Sequence, residues 1–185
     1  MSRAFTLALV LGFSLLGGCD RKSGEAAQPA PGASGGALAG AIDRSHRHSA
    51  IPGLSFHDAA GHTLHLSAIR GTPTLVNLWA TWCAPCIIEL PQLDALAAKT
   101  GAGLRIVTIS EDLAGGSAKP GEFLAQHGYR HLPGWLDPDD AASDAFKAPT
   151  LPMTIYFDAS GHEVWRYAGG RDWTDAGTKR MLAES

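Results

Sequence analysis

Apolar and polar positions follow one another in this chain with a period that changes from segment to segment. Leu54–His57 and His62–Leu66 alternate around Asp58-Ala59-Ala60-Gly61, the pattern of two short strands in a hairpin. Thr74-Leu75-Val76-Asn77-Leu78-Trp79-Ala80 is a continuous β-type run, as a strand buried on both faces requires. From Pro85 to Lys99 the apolar residues Ile87, Leu90, Leu93 and Ala97, with Ile88 and Leu96, recur at helical spacing, and Gly101 marks the stop. Leu104–Ser110 reads as a second buried strand. Pro120–His127 and Pro138–Phe146 read as helices on either side of a short extended piece at Trp135-Leu136. Met153–Phe157 and Glu163–Tyr167 are strands around Asp158-Ala159-Ser160-Gly161, where the glycine suits a positive φ, and Asp172–Leu182 is a weak terminal helix. The order ββ-βα-βα-α-ββ-α predicts one α/β domain, a sandwich with a mixed parallel and antiparallel sheet.

Upstream of this domain the pattern is different. Ala4 to Leu16 is an apolar run of 13 residues, and Arg3 is the only charge before Asp20. A bilayer-spanning helix needs about 20 apolar residues; the shorter run matches the core of a secretory signal. Leu16-Gly17-Gly18-Cys19 follows and resembles a bacterial lipoprotein box, in which Cys19 would carry the lipid; an ordinary signal peptide with Cys19 incidental is the competing reading. Asp20 after the modified position resembles a signal for retention at the inner membrane. Between Asp20 and Ala41, Gly, Ala, Pro and Ser make up 16 of 22 residues, too little large apolar surface to offset ordering entropy. The expected organisation is therefore a lipoprotein-type signal over 1–18, a flexible linker over 19–50, of which the 22 residues from Asp20 to Ala41 have a reach of about 25 Å, and the folded domain over 51–185.

Composition narrows the function classes. With 15 Lys+Arg against 18 Asp+Glu, the net charge is −3, and nothing resembles the clustered cations that nucleic acid demands. Three cysteines are too few for a disulfide scaffold or a four-thiolate zinc site. If Cys19 carries lipid, Cys83 and Cys86 remain as one pair. They stand in Trp82-Cys83-Ala84-Pro85-Cys86, at a predicted strand-to-helix junction. A cysteine at a helix start lies beside unpaired N–H groups and the positive end of the dipole, which favour thiolate. The second cysteine, one turn on, is near enough for a reducible disulfide. Pro85 costs little in the first helical turn. Such a pair attacks a partner disulfide through Cys83 and is resolved by Cys86. A zinc half-site would need two more ligands, and an inert disulfide closing so short a loop would stabilise little. No cofactor or metal is called for. His57, His62, His65, His127 and His131 are scattered on strands and near turns, and read as surface or satisfied positions.

The segment Leu75–Pro91, LVNLWATWCAPCIIELP, resembles the active-site segment of thioredoxin-like proteins. The Glu-Leu-Pro after the motif, and Asn77 where ordinary thioredoxins bury an Asp, are more narrowly similar to the TlpA/ResA/CcmG group of membrane-tethered, envelope-facing thiol–disulfide oxidoreductases. The likeness runs from about Ile51 to Arg171. It implies a three-layer thioredoxin-like sandwich with an N-terminal β-hairpin and a central insert around Asp112–Asp144. Phe146–Asp158 resembles the family's cis-proline loop, which implies that Pro152 is cis, lies against the sulfurs, and presents the Leu151 backbone to an extended substrate. The resemblance further implies protein thiols and disulfides as partners and a membrane thiol reductase as electron donor; with Cys19 and Asp20 it gives a periplasmic location anchored at the inner membrane, and, as nothing in the sequence argues for an oligomer, a monomer is expected. It implies a reductant, acting in cytochrome c maturation or metal-site assembly; a disulfide-donating oxidant and a copper-delivery module are the alternatives.

Three neighbours of the motif complete the candidate site. Glu89 lies one helical turn after Cys86, where a carboxylate could take the Cys86 proton and raise a thiol pKa. A first-turn Glu held by the helix dipole is its competing reading. Trp82 is expected at the rim around Cys83, and Trp79 in the core.

Overall fold

The computed structural model describes residues 40–112 and 118–184. The signal segment, Cys19 and most of the expected linker lie outside the described residues. The described residues form one mixed sheet. Its strands are β1 (Ile42–Asp43), β2 (Ser55–His57), β3 (Thr63–His65), β4 (Thr74–Trp79), β5 (Arg105–Ser110), β6 (Trp135–Leu136), β7 (Met153–Phe157) and β8 (Glu163–Ala168), in the spatial order β1-β8-β7-β4-β5-β6-β2-β3. β4, β5 and β6 run parallel, and the remaining pairs are antiparallel. The helices are α1 (Ala84–Thr100), α2 (Ala118–Gln126), α3 (Ala141–Phe146) and α4 (Ala176–Leu182).

The uninterrupted apolar run of β4 has its reason in the sheet's two covered faces. Leu75 and Trp79 point into a cluster with Leu90 and Leu93 of α1, Leu124 of α2 and Met181 of α4. Val76 and Leu78 point the other way, into a cluster with Ala142 and Phe146 of α3. Alternation along a strand sends successive side chains to opposite faces, so a strand covered twice has no polar face to show. The three layers and the β2–β3 hairpin agree with the sequence reading. The insert between β5 and β7 contributes α2, β6 and α3.

One feature departs from the sequence expectations: strand pairing includes residues before Ile51. Ile42 pairs with Tyr167 and Asp43 with Arg166, Ala50 bridges to His162, and Arg44 ion-pairs with Glu184 at 2.6 Å. Ile42, Asp43 and Ala50 therefore pair with the domain's sheet, within the stretch expected to be linker: β1 has too few apolar residues to announce itself and is made by pairing with the edge of β8. Pro91 lies inside α1 without ending it, in keeping with the helical spacing from Pro85 to Lys99. A proline cannot donate to the carbonyl four residues back, here that of Ile87. The helix continues because Leu90 and Leu93, both fully buried, dock its two halves on the sheet.

Candidate functional site

The sequence pair Cys83 and Cys86 sits just past the C-terminal end of β4, on the edge where the parallel strands open toward ligands in α/β sheets. Cys83 is the N-cap of α1, with φ −88° and ψ 99°, and its carbonyl receives the first helical N–H, that of Ile87, at 3.1 Å. The Cys83 N–H donates to Ala80 at 3.1 Å, which turns the chain from strand to helix. The two sulfurs are joined at 2.03 Å, with the Cα atoms 5.3 Å apart. Both cysteines are buried; Cys83 keeps 5% of its surface exposed and Cys86 none, so what surface the pair shows to solvent belongs to the first. Opening the bond would leave Cys83 at a helix N-terminus, an environment that favours thiolate. Pro85 occupies the second helical position, where its missing N–H costs nothing. Trp82, 70% exposed, stands beside the pair, and Trp79 is fully buried.

One helical turn after Cys86 lies a buried polar network built around Glu89, which is 1% exposed. Its Oε1 accepts from Asn77 Nδ2 at 2.7 Å; its Oε2 accepts from Trp173 Nε1 at 3.1 Å and from the Arg171 backbone N–H at 3.2 Å. Asn77 also donates to Thr154 Oγ1 at 3.0 Å, directly across its register position on β7. Burial pushes the Glu89 carboxyl up to about 7, against the three donors, which favour the charged form. Glu89 is thus a group that can change protonation near neutrality, on the same helix face as Cys86. It is not a dipole-stabilised surface residue, because no first-turn acid is present in α1 and its side chain is sealed under Trp173.

The Leu151–Pro152 peptide bond is cis. The Pro152 carbonyl accepts from Gly169 at 2.8 Å, which ties this loop to the end of β8, and Leu151 packs against the apolar cluster that contains both cysteines. Gly170 closes the site from the other side: a Cβ there would stand 3.3 Å from Cβ of Pro85. Trp82 and Cys83 precede α1, Pro85, Cys86 and Glu89 lie in its first two turns, and Leu151 packs against the cluster that holds both cysteines. Cys19 lies outside the described residues.

Several supporting residues were not legible in the motif. Arg171 and Trp173 hold Glu89 from 82 and 84 residues away. Asp112 accepts from the Thr81 backbone N–H at 3.1 Å and from the Thr81 hydroxyl at 2.8 Å, fastening the loop that leads to Cys83. The only advance signal was residue type, a tryptophan and an acid near strand ends. The histidines form no centre. His57, His62 and His65 bond within their hairpin, to Thr63, Asp58 and Ser55. His127 stacks between Phe123 and Tyr129. Among the described residues no group of three or more His, Cys, Asp or Glu side chains is placed to hold a metal ion.

A mixed sheet covered on both faces, a helix headed by a two-cysteine disulfide and a cis-proline loop beside it define a thioredoxin-fold protein with a dithiol/disulfide centre. The chain belongs to the Redoxin family, which it matches over residues 46–182. It is 29% identical over 116 residues to the thiol-disulfide oxidoreductase ResA of Geobacillus kaustophilus, covering 61% of this chain and 64% of that one. It is 34% identical over 119 residues to the thiol:disulfide interchange protein DsbE of Pseudomonas fluorescens biotype C, covering 61% and 62%. The match thus spans a little under two thirds of each relative's length. Among solved structures, the exposed lipoprotein thioredoxin of Streptococcus pneumoniae superposes with a TM-score of 0.59 at 23% identity, covering 69% of this chain and 96% of that one. A DsbF homologue from Corynebacterium diphtheriae gives 0.64 at 16% identity, covering 80% and 94%. These structural likenesses establish the fold.

Proposed function

We propose that this chain is a thiol–disulfide oxidoreductase of the bacterial cell envelope that reduces disulfides in partner proteins. The observation that carries the reading is the Cys83–Cys86 disulfide at the head of α1, where Cys83 keeps a little exposed surface and Cys86 none. In the reduced protein, Cys83 thiolate attacks one sulfur of the partner disulfide. A mixed disulfide forms and the partner's other sulfur leaves as thiolate. Cys86 gives up its proton to Glu89 and attacks Cys83 Sγ; the Cys83–Cys86 bond forms and the second partner sulfur leaves. The partner gains two electrons, and the domain is left oxidised. Trp82 and the Leu151 backbone border the approach, so an extended partner segment lies between them.

The proposal extends to location and supply. The apolar run ending at Cys19 supports a signal and a lipid anchor, and similarity to an exposed lipoprotein thioredoxin supports the same placement. A monomeric domain tethered at the inner membrane, facing the periplasm, meets oxidised protein thiols such as those of cytochrome c or metal-site assembly and is recharged by a membrane thiol reductase. Names of relatives, an oxidoreductase and an interchange protein, are consistent with this role.

The test is a trap. In Cys86→Ser, the mixed disulfide cannot be resolved, so a partner is expected to accumulate on Cys83 and to be released by dithiothreitol. A Cys86→Ser protein that accumulates no adduct while Cys83→Ser does would reverse the assigned order of attack. Direction is read from a glutathione titration: a reductant belongs near the thioredoxin end, about −270 mV, rather than the oxidising end at about −120 mV.

A further inference from the structure

The outer face of α1 carries no charge for most of its length. Its exposed positions before Lys99 are Ala84, Pro85, Ile88, Pro91, Ala95 and Ala98, all apolar. Ile88 is 70% exposed, and it and Trp82 are the large hydrophobic residues left open among the described residues. The other surface helices behave ordinarily: α2 exposes Lys119 and Glu122, and α4 exposes Lys179 and Arg180. The acids of α1 are turned away, Glu89 inward and Asp94 toward the backbone N–H of His131 at 2.7 Å. At 1.5 Å per residue the strip runs about 20 Å down the helix. Single exposed apolar side chains are normal on a protein surface, but a continuous uncharged strip marks a contact surface.

We propose that this strip is the docking surface for the protein whose disulfide is exchanged, and that it selects partners with uncharged, apolar side chains flanking the reactive cysteine. The choice of occupant rests on continuity. The strip begins at Cys83, the cap of the same helix, and Trp82 stands at its head. In the mixed disulfide, the partner's sulfur is bonded at that head, so the partner's chain is the body that overlies it. A partner carrying charges against Ile88 would strip them of water with no opposite charge facing them, which disfavours it. This inference rests on the thiol–disulfide reading and adds a substrate class to it.

The experiment uses two synthetic peptides, each a single cysteine blocked as its glutathione mixed disulfide, identical except that flanking leucines in one are glutamates in the other. The rate at which the reduced protein attacks each peptide is divided by its rate on oxidised glutathione. The expected result is a ratio at least tenfold higher for the leucine peptide, falling to within about twofold of the glutamate peptide in Ile88→Lys. Ala95→Lys, farther from the sulfur, is expected to give a smaller fall in the same direction, which separates docking from a local disturbance at the motif. Equal ratios for the two peptides in the unaltered protein, or a preference that survives Ile88→Lys, overturns the proposal. So does a concentration-dependent dimer that Ile88→Lys dissolves, which would make the strip an interface between copies. Sedimentation with phosphatidylcholine vesicles, abolished by the same substitution, would assign it to a lipid surface instead. Failure of the thiol–disulfide reading looks different: the unaltered protein would attack neither peptide nor glutathione.

Discussion

At the scale of single residues, Glu89 sets the pH behaviour. It is ionisable, sealed from water, and held near neutrality by burial working against three hydrogen-bond donors. Its ordinary value of 4.5 rises to about 7 in the folded protein, so the native state keeps the proton after the unfolded chain has lost it. Stability from this group is therefore complete below about pH 4.5 and is lost as pH climbs to about 7. Glu111 acts in the same sense: burial and the neighbouring carboxylates of Asp137 and Asp140 push it up to about 8. In Glu89→Gln, the stability lost between pH 5 and pH 8 is expected to shrink by about 2–3 kcal/mol. Urea unfolding of the oxidised protein at both pH values measures this; an unchanged loss would mean that Glu89 is ionised throughout. At pH 5 the variant is expected to be the weaker protein by about 1 kcal/mol, because the amide replaces an acceptor facing three donors. Cys83 and Cys86 were readable from spacing alone, since two cysteines one turn apart at a helix start meet whatever the rest of the chain does. The partners of Glu89 were not, because contacts across 82 and 84 residues leave no local pattern.

At the scale of elements, α1 carries the chemistry at its head and a defect in its middle. Pro91 removes the bond to the Ile87 carbonyl at an exposed position, where neither core packing nor the Glu89 network touches the side chain. Restoring that bond with Pro91→Ala is expected to raise stability by about 1–2 kcal/mol. The intrinsic helix penalty of proline is about 3 kcal/mol, and the more flexible unfolded chain returns part of it. The melting temperature of the two proteins decides the sign; a lower value in the variant would show that the kinked helix fits the sheet better than a regular one. The helix itself was visible in the sequence through Pro91, since the apolar period on either side stays in phase: Leu90 and Leu93 meet the same face of the sheet. The strip on its opposite face was not visible as such. Ile88 belongs to the apolar period read from the sequence, and only packing shows it 70% exposed.

At the scale of the molecule, the sheet is longer than the domain expected from composition. β1 covers the outer edge of β8, and the chain beyond it ties Arg44 to Glu184. The ion pair is partly exposed and worth little by itself. The strand pairing matters more, because an uncovered edge leaves unpaired N–H and C=O groups and invites association. A protein beginning at Ile51 is expected to unfold at lower urea than one beginning at Gly35, and to associate more readily on the evidence of light scattering. Equal midpoints would show that β1 adds nothing to the cooperative unit. Among the described residues no helix is long and apolar enough to cross a membrane. Attachment to a membrane therefore depends, in the proposed function, on the segment ending at Cys19.

Taken by itself, the order of residues decided most of the strands and helices, the placing of the two cysteines at a helix start, and the strand that follows Pro152. Those properties are local: period, turn chemistry and a three-residue spacing act within one element. Tertiary structure alone decided that Asn77, Arg171 and Trp173 converge on Glu89, that Ile42, Asp43 and Ala50 pair with the sheet, and that the face of α1 behind the sulfurs is left bare. Those depend on which distant elements pack together and which surface remains after they have done so. A side chain's burial, and with it its pKa or its availability to a partner, belongs to the assembled layers and not to any one segment of the chain.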